Sequence, residues 1–167
     1  FRVWIYSYNG LIGGFMDHST FVMLKPDALE AKLQEKILDA FREHGISVLK
    51  KKTVTVDEPT IMAHYADVVE RLKDAIPDFS DRIRKEFVGK EVEIIEMATR
   101  HHDVIAKVRE IVGATDPAKA DPNSIRGKYA TDTMAKSNEE KRMLRNLVHA
   151  SDSEESAKKE LALWFKK

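Results

Sequence analysis

The order of apolar patterns along the chain predicts an α/β (α+β) fold of the ferredoxin-like class, built on an antiparallel sheet. Short β-branched or alternating runs typical of strands occur four times, and helical patterns with apolar residues three or four positions apart lie between them. When a helical hairpin and a C-terminal helix are set aside, the remaining order is βαββαβ. A chain of 167 residues can bury one such core by itself.

The first predicted unit is a strand followed by a helix. The run TFVML at residues 20–24 is β-branched and apolar, and it stops at Pro26, so Lys25 is expected at a strand end. Apolar residues spaced by four between positions 33 and 41 then predict an amphipathic helix, which Gly45 ends.

The middle of the chain predicts a second strand, a helical hairpin and a third strand. Residues 46–56 mix valine with threonine and lysine, which is typical of a strand with one solvent-facing side. Helical spacing covers residues 57–89, with Pro77 separating the two legs of the hairpin. The alternating run EVEIIEM at residues 91–97 predicts the third strand.

The last part predicts a helix, a long irregular stretch, a short strand and a final helix. Apolar spacing over residues 105–112 gives the helix, and residues 114–139 have no sustained period, which favours a functional loop. The apolar pair directly before His149 predicts a short fourth strand. The polar run SDSEES at residues 151–156 then supplies capping residues and first-turn acids for the C-terminal helix.

Composition excludes several classes of function. Lysine plus arginine equals aspartate plus glutamate at 28 each, so no net charge attracts nucleic acid or an anionic membrane. The absence of cysteine excludes disulfides, thiolate zinc sites and thiol nucleophiles, and it is compatible with a reducing compartment. Residues 1–15 are interrupted by asparagine and glycine and are too short for a membrane span. We therefore expect residues 1–15 to be an N-terminal extension and residues 16–167 to be a single domain.

Polar residues at element ends are the candidates for chemistry. The sequence has neither a G-x-x-x-x-G-K-[ST] loop nor G-x-G-x-x-G, so a phosphate group would need another cradle. The side chains available for one are Lys25, Arg109, Thr115, Arg126 and Asn146. Each is also compatible with an ordinary surface or turn role.

Two histidine positions have alternative interpretations. His149 stands between a strand and a capped helix, where it is either a reactive group or a core or capping residue. The adjacent pair His101 and His102 is typical of a solvated turn, because neighbouring side chains diverge and no partner cluster accompanies them.

Four segments resemble the nucleoside diphosphate kinase family over roughly residues 19–165. They are TFVMLKPDAL at 20–29, REIVGATDP at 109–117, NSIRG at 123–127 and RNLVHASDSEESAKKELALWF at 145–165. The resemblance implies transfer of the γ-phosphate of a nucleoside triphosphate to a nucleoside diphosphate by a ping-pong mechanism. Its phosphohistidine would form at His149, within N-x-x-H-x-S-D. Glu160 would hold the other ring nitrogen, as a carboxylate does in a catalytic triad.

The same resemblance implies roles for further residues. The phosphate ligands would be Lys25, Tyr65, Arg109, Thr115, Arg126 and Asn146. Ser151 would hydrogen-bond near the histidine, and Asp152 would assist Mg²⁺ through a water molecule, the ion itself being held by the nucleotide phosphates. Phe79 in IPDF is the candidate aromatic residue against the base, with a core position in the hairpin as the alternative.

Departures from the family pattern affect assembly and one loop. The family's arginine and glycine after K-P-D are replaced by Ala31 and Lys32, which bears on subunit contacts. The segment between Arg126 and His149 is longer than the family pattern, and its charged run KSNEEKR is expected to be a solvated loop, with a short helix or a flap as alternatives. We expect a cytoplasmic homo-oligomer, either a tetramer or a hexamer.

Two other classes of function stand as rivals. A nucleotide-binding regulatory protein could keep the fold without turnover, although the intact His149 and Glu160 disfavour it. An RNA-binding ferredoxin-like module is disfavoured by the balanced charge.

Overall fold

Four strands form one antiparallel sheet in the computed structural model, which describes residues 19–100 and 103–165. The strands are β1 (Ser19–Leu24), β2 (Ser47–Thr55), β3 (Glu91–Ala98) and β4 (Val148–Ala150). The sheet order is β2-β3-β1-β4 and every neighbouring pair is antiparallel. This is the order of a ferredoxin-like sheet, so the predicted fold class is confirmed.

Helices cover both faces of the sheet. They are α1 (Pro26–Glu30), α2 (Gln34–Glu43), α3 (Glu58–His64), α4 (Ala66–Leu72), α5 (Phe79–Phe87), α6 (Val104–Val112), α7 (Ile125–Tyr129), α8 (Met134–Glu139) and α9 (Glu154–Phe165), with a 3-10 turn at Pro117–Lys119. The described helices include none that is both long enough and apolar enough to cross a membrane.

Strand β1 divides the core into two layers because successive side chains point to opposite faces. Val22 and Leu24 pack in the cluster that includes α2 and α6, whereas Phe21 and Met23 pack in the cluster that includes α3, α5 and α9. Met23 lies directly opposite His149 in the β1–β4 register. His149 therefore lies on the sheet face that α3, α5 and α9 cover.

Several predicted elements differ from the structure. Helix α1 was not predicted, because Pro26 was interpreted only as a strand breaker although proline is favoured at the first position of a helix. The first leg of the hairpin is two helices that meet at Tyr65. Strand β2, which lies at the edge of the sheet, is exposed on both faces over residues 50–53 and not on one face only.

The stretch at residues 114–139 is more regular than predicted. Helix α7 begins after Ser124, whose Oγ accepts the Gly127 N–H, and α8 begins after Thr133, whose side chain accepts the Lys136 N–H. Helices of five and six residues are too short to show a helical period in the sequence. The expectation of a solvated loop over KSNEEKR is wrong for its first part, which belongs to α8.

Lys32 shows a structural consequence of the departure noted after K-P-D. It adopts φ of 56°, in the left-handed region that glycine enters with less strain. The predicted extension at residues 1–15 and the pair His101 and His102 lie outside the described residues.

Candidate active site

A left-handed turn delivers β4 to the sheet. Leu147 has φ of 72°, and the Val148 N–H donates to the Asn146 carbonyl across it at 2.9 Å, which makes a strained γ-turn. Asp27 holds the turn, since its Oδ2 accepts the Leu147 N–H at 2.9 Å. This hydrogen bond joins the segment after β1 to the start of β4. His149, two residues after Leu147, therefore extends from a backbone that is held in place.

His149 is held by a carboxylate on α9. Its Nε2 hydrogen-bonds Glu160 Oε1, and Ser151 Oγ lies 3.2 and 3.3 Å from the two Glu160 carboxylate oxygens. Burial, together with Lys25 and Arg126, lowers the pKa of His149 to about 3, so the ring is neutral at physiological pH. The proton then sits on Nε2 and donates to Glu160, which leaves the Nδ1 lone pair free.

A second histidine, which the sequence interpretation missed, lies against the first. The His64 and His149 rings meet edge to face with centroids 4.4 Å apart. Trp164 Nε1–H donates to His64 Nδ1 at 3.1 Å, so His64 carries its proton on Nε2. Its position three residues after the buried Ile61 on α3 was the available signal, because that spacing places it on the inward helix face.

Acidification should destabilise the fold through this histidine pair. Burial lowers the pKa of His64 to about 3, against an ordinary value of 6.5. Between these values the unfolded chain binds more protons, so the free energy of unfolding should fall as the pH drops from 6.5 towards 3. His64→Asn, whose side-chain oxygen can still accept from Trp164, should reduce that slope in urea unfolding at pH 7.5, 5.5 and 4.5.

The control for this pH series is His44→Asn, at an exposed histidine that directly follows the last residue of α2. We expect it to keep the wild-type slope. An unchanged slope in His64→Asn would contradict the assignment of the acid sensitivity to the buried ring.

Lys25 and Asn146 form one buried polar unit beside the turn. Lys25 Nζ donates to the Leu144 carbonyl at 2.7 Å and to Asn146 Oδ1 at 3.0 Å, and Asn146 Nδ2 donates to the Thr115 carbonyl at 2.9 Å. Burial lowers the pKa of Lys25, although Asp27 opposes that shift. An ammonium has three N–H groups, so one remains to meet an anion.

Two arginines, Arg109 and Arg126, join Lys25 in a group of cations at the cavity that we call the positive wall. Arg126 donates Nε, Nη1 and Nη2 to the carbonyls of Asn146, Gly113 and Val148, at 3.2, 3.0 and 2.6 Å. Burial lowers the pKa of Arg126 to about 10, and two of its five N–H groups are unused by these contacts. Arg109 reaches the carbonyl of Ala150 at 3.4 Å. Arg126 therefore both ties three backbone segments together and keeps donors for a ligand.

All of the predicted site residues except Ser151 line one cavity of about 500 Å³. They are Lys25, Tyr65, Phe79, Arg109, Thr115, Arg126, Asn146, His149, Asp152 and Glu160. Ser151 lies behind Glu160, which it contacts. The cavity also includes residues that the sequence interpretation did not select, among them His64, Met134, Asn138, Arg142 and Met143.

Tyr65 and Phe79 come to this cavity from the hairpin. Tyr65 lies at the break between α3 and α4, packs edge-on against His64 at 4.8 Å between ring centroids, and burial raises its pKa. Phe79 begins α5, is half-buried, and packs at the border of the core layer that contains Ile83. The two interpretations of Phe79, as a cavity residue and as a packing residue, are therefore compatible.

The residues that the structure describes around the cavity do not form a protein cage for Mg²⁺. Within the described residues, His64, His149 and Glu160 place one possible ligand atom each within 4.8 Å of one another, but two imidazoles suit softer metals and Mg²⁺ prefers oxygen. Asp152 is an exposed carboxylate at the cavity, and a hydrogen bond from Ser156 lowers its pKa. This donor set fits an ion held mostly by a ligand's phosphates, with Asp152 beside it.

Comparison with known proteins gives a consistent picture. The family model described as "Nucleoside diphosphate kinase" matches residues 18–167. The chain is 39% identical over 150 residues to the nucleoside diphosphate kinase of Methanosphaera stadtmanae, covering 90% of this chain and 87% of that protein. It is 37% identical over 150 residues to nucleoside diphosphate kinase 1 of Glycine max, covering 90% and 89%.

Two solved structures have a similar fold. A transition-state mimic of the nucleoside diphosphate kinase of Borrelia burgdorferi, with bound vanadate and ADP, superimposes with a TM-score of 0.81 at 29% identity, covering 90% of this chain and 88% of that one. An NDP kinase from Pyrobaculum aerophilum superimposes with a TM-score of 0.77 at 26% identity, covering 88% and 94%.

Proposed function

Because the chain belongs to the nucleoside diphosphate kinase family of phosphotransferases, we propose that it transfers a γ-phosphate from a nucleoside triphosphate to a nucleoside diphosphate through phosphorylated His149. One observation carries the assignment to this residue: Glu160 occupies Nε2 of a neutral imidazole whose Nδ1 makes no hydrogen bond within the described residues. A neutral imidazole with a free lone pair is a competent nucleophile.

The first half-reaction forms one bond and breaks one. The Nδ1 lone pair of His149 attacks the γ-phosphorus in line, and the bond from that phosphorus to the bridging oxygen breaks, so the nucleoside diphosphate leaves with the electron pair. The proton on Nε2 stays in its hydrogen bond with Glu160. In the second half-reaction a terminal oxygen of another diphosphate attacks the phosphohistidine, and the N–P bond breaks to restore the neutral ring.

The positive wall supplies the electrostatic part of catalysis. Phosphoryl transfer requires mainly that the reacting groups are positioned in line and that the charge on the transferring oxygens is stabilised. Lys25, Arg109 and Arg126 all line the cavity that holds His149. Hydroxyl and amide groups complete the phosphate contacts, and they belong to Tyr65, Thr115 and Asn146.

Kinases generally use a divalent metal ion, and we propose Mg²⁺ here. Asp152 fits an indirect role, through water, towards an ion carried by the nucleotide phosphates. When bound, the ion neutralises phosphate charge. Phe79 is proposed as a stacking surface for the base, because stacking tolerates every base and suits an enzyme that serves many nucleotides.

A labelling experiment tests the proposal. The purified protein is mixed with Mg²⁺ and γ-labelled ATP, separated from nucleotide, checked for acid-labile label, and then mixed with GDP. We expect an acid-labile labelled protein that yields labelled GTP. Binding of ATP without label on the protein would reject the kinase and favour the regulatory protein.

Three further proposals accompany this function, and they concern the N-terminal segment, the oligomeric state and the cellular location. The family match begins at residue 18, which supports residues 1–15 as an extension, and deletion of that segment should leave exchange unchanged. The expected homo-oligomer, either a tetramer or a hexamer, remains a proposal, and light scattering would measure its mass. A cysteine-free sequence is compatible with the expected cytoplasmic location, which cell fractionation would check.

A further inference from the structure

One buried aspartate connects the long segment at residues 131–142 with Lys25. This segment is longer than the family pattern, and its charged run was expected to be a solvated loop. Asp132 lies in it, two residues before α8, and is only 8% exposed. Carboxylates are seldom buried unless they are paired. The hydrogen bonds that Asp132 accepts therefore indicate what it holds in place.

Asp132 accepts hydrogen bonds from two arginines that follow α8. Arg142 donates to both carboxylate oxygens, at 2.7 and 2.9 Å, and the Arg145 backbone N–H donates to Oδ2 at 2.9 Å. Burial opposes ionisation of this group, but the hydrogen bonds outweigh it and lower the pKa of Asp132 to about 2. The carboxylate is therefore charged at neutral pH, and it holds the backbone at residues 142–145 through charge-assisted bonds.

A single peptide group joins Asp132 to Lys25. The Arg145 N–H and the Leu144 carbonyl belong to the same trans peptide group, which points them in opposite directions. Asp132 accepts that N–H, and Lys25 Nζ donates to that carbonyl at 2.7 Å. Hydrogen bonds in a chain polarise one another, so a carboxylate on the N–H side makes the carbonyl a stronger acceptor. Asp132 thus sets both the direction and the strength of a contact that holds the Lys25 ammonium.

The charge of Asp132 acts on the same ammonium. Burial lowers the pKa of Lys25, and nearby carboxylates oppose that shift. They belong to Asp27, Glu86 and Asp132. Glu86 also accepts from Arg145 Nε at 3.0 Å, so α5 supports the same stretch of backbone. Within the described residues the cavity lining includes Lys25 but not Asp132, so an effect of Asp132 on a ligand has to pass through these contacts.

We propose that Asp132 is a positioning residue for phosphoryl transfer, which acts by orienting the peptide group between Leu144 and Arg145 and thereby Lys25. The proposal rests on the proposed function, because it takes Lys25 as a ligand of the transferred phosphate. Lys25 Nζ has one N–H left for that phosphate, and the direction of this N–H follows from where the other two point. A shift of the Leu144 carbonyl would therefore turn the remaining N–H away from the phosphate.

Four proteins test whether Asp132 acts through Lys25: the wild type, Asp132→Asn, Lys25→Met and the double variant. Asp132→Asn removes the charge that holds the Arg145 N–H, and kcat should fall about tenfold at a temperature well below the melting transition. Lys25→Met should lower kcat about 100-fold, as the loss of one transition-state donor does. The double variant should be less than about twofold slower than Lys25→Met, because residues that act as a unit are not additive.

Two further variants complete the set. Asp132→Glu keeps the charge, so its kcat should lie between those of the wild type and Asp132→Asn, and it replaces Asp132→Asn in the cycle if that variant does not fold. The matched control is Glu139→Gln, at an exposed position on α8 outside the cavity lining, which should keep the wild-type kcat.

A wild-type kcat in Asp132→Asn, or a further tenfold loss when it is added to Lys25→Met, would overturn the proposal. The second result is the one expected of a merely structural residue. Calorimetric titration of the same proteins with AMP-PNP and Mg²⁺ gives a readout that needs no turnover. If the wild type transferred no phosphate, the kinase would be rejected. In that case non-additive losses of AMP-PNP affinity would still support the link between Asp132 and Lys25, and additive losses would overturn it.

Discussion

His149→Ala is expected to lower phosphoryl exchange by on the order of 10⁴-fold or more and to leave no acid-labile label on the protein, because the covalent route then has no nucleophile. Among the histidines that the structure describes, His149 alone presents a ring nitrogen whose partner nitrogen is fixed by a carboxylate. The neighbouring His64 does not replace it, since its Nδ1 accepts from Trp164.

Nucleotide binding is the readout that separates lost chemistry from a lost site. Lys25, Arg109 and Arg126 keep their backbone contacts when the imidazole is removed, so ADP affinity should change less than about threefold. His44→Ala, at an exposed histidine, is the matched control and should label normally. Exchange at the wild-type rate in His149→Ala would reject the nucleophile and the mechanism together.

The sequence alone was sufficient to predict the strands and the polar side chains in or next to them. Lys25 follows a β-branched run and lies directly after β1. His149 follows a short apolar pair, but it is the middle residue of β4 and not the residue that ends the strand. Such positions are local in the sequence, because a strand end is marked by the residues next to it. The resemblance to the family then connected residues that periodicity alone left separate.

Contacts between distant segments could not be predicted in this way. His64 meets Trp164 across 100 positions, and no local pattern connects a histidine on α3 with an indole on α9. The break at Tyr65 also depends on tertiary packing, because the flanking helices satisfy the same apolar spacing as one continuous helix.

The ordered structure of residues 131–142, which line the cavity, was not predicted for a different reason. Its charged run is typical of solvent-exposed loops, and charged side chains are seldom buried unless they are paired. Here Asp132 and Arg142 pair ten positions apart and order the segment that contains α8. Composition alone does not show whether opposite charges in a run will meet.

Glu160→Gln is expected to lower exchange by on the order of 10³-fold with little change in nucleotide affinity. Glu160 does not touch the phosphate in the proposed mechanism, so it is a positioning residue that acts through His149. A glutamine can turn an N–H towards Nε2, which moves the ring proton to Nδ1 and removes the attacking lone pair. Glu155→Gln, exposed on the same helix, is the control.

The pH profile distinguishes this positioning role from simple loss of packing. Burial raises the pKa of Glu160, although His64 and Ser151 oppose the shift, while the pKa of His149 is lowered to about 3. As the pH falls, Glu160 therefore takes up a proton before His149 does, and wild-type exchange should decline through the raised pKa of Glu160. In Glu160→Gln that decline should be absent, leaving a slow rate that stays flat down to the pH at which the fold is lost. A wild-type acid limb in the variant would show that another group sets it, and His149 would then need a different explanation for its tautomer.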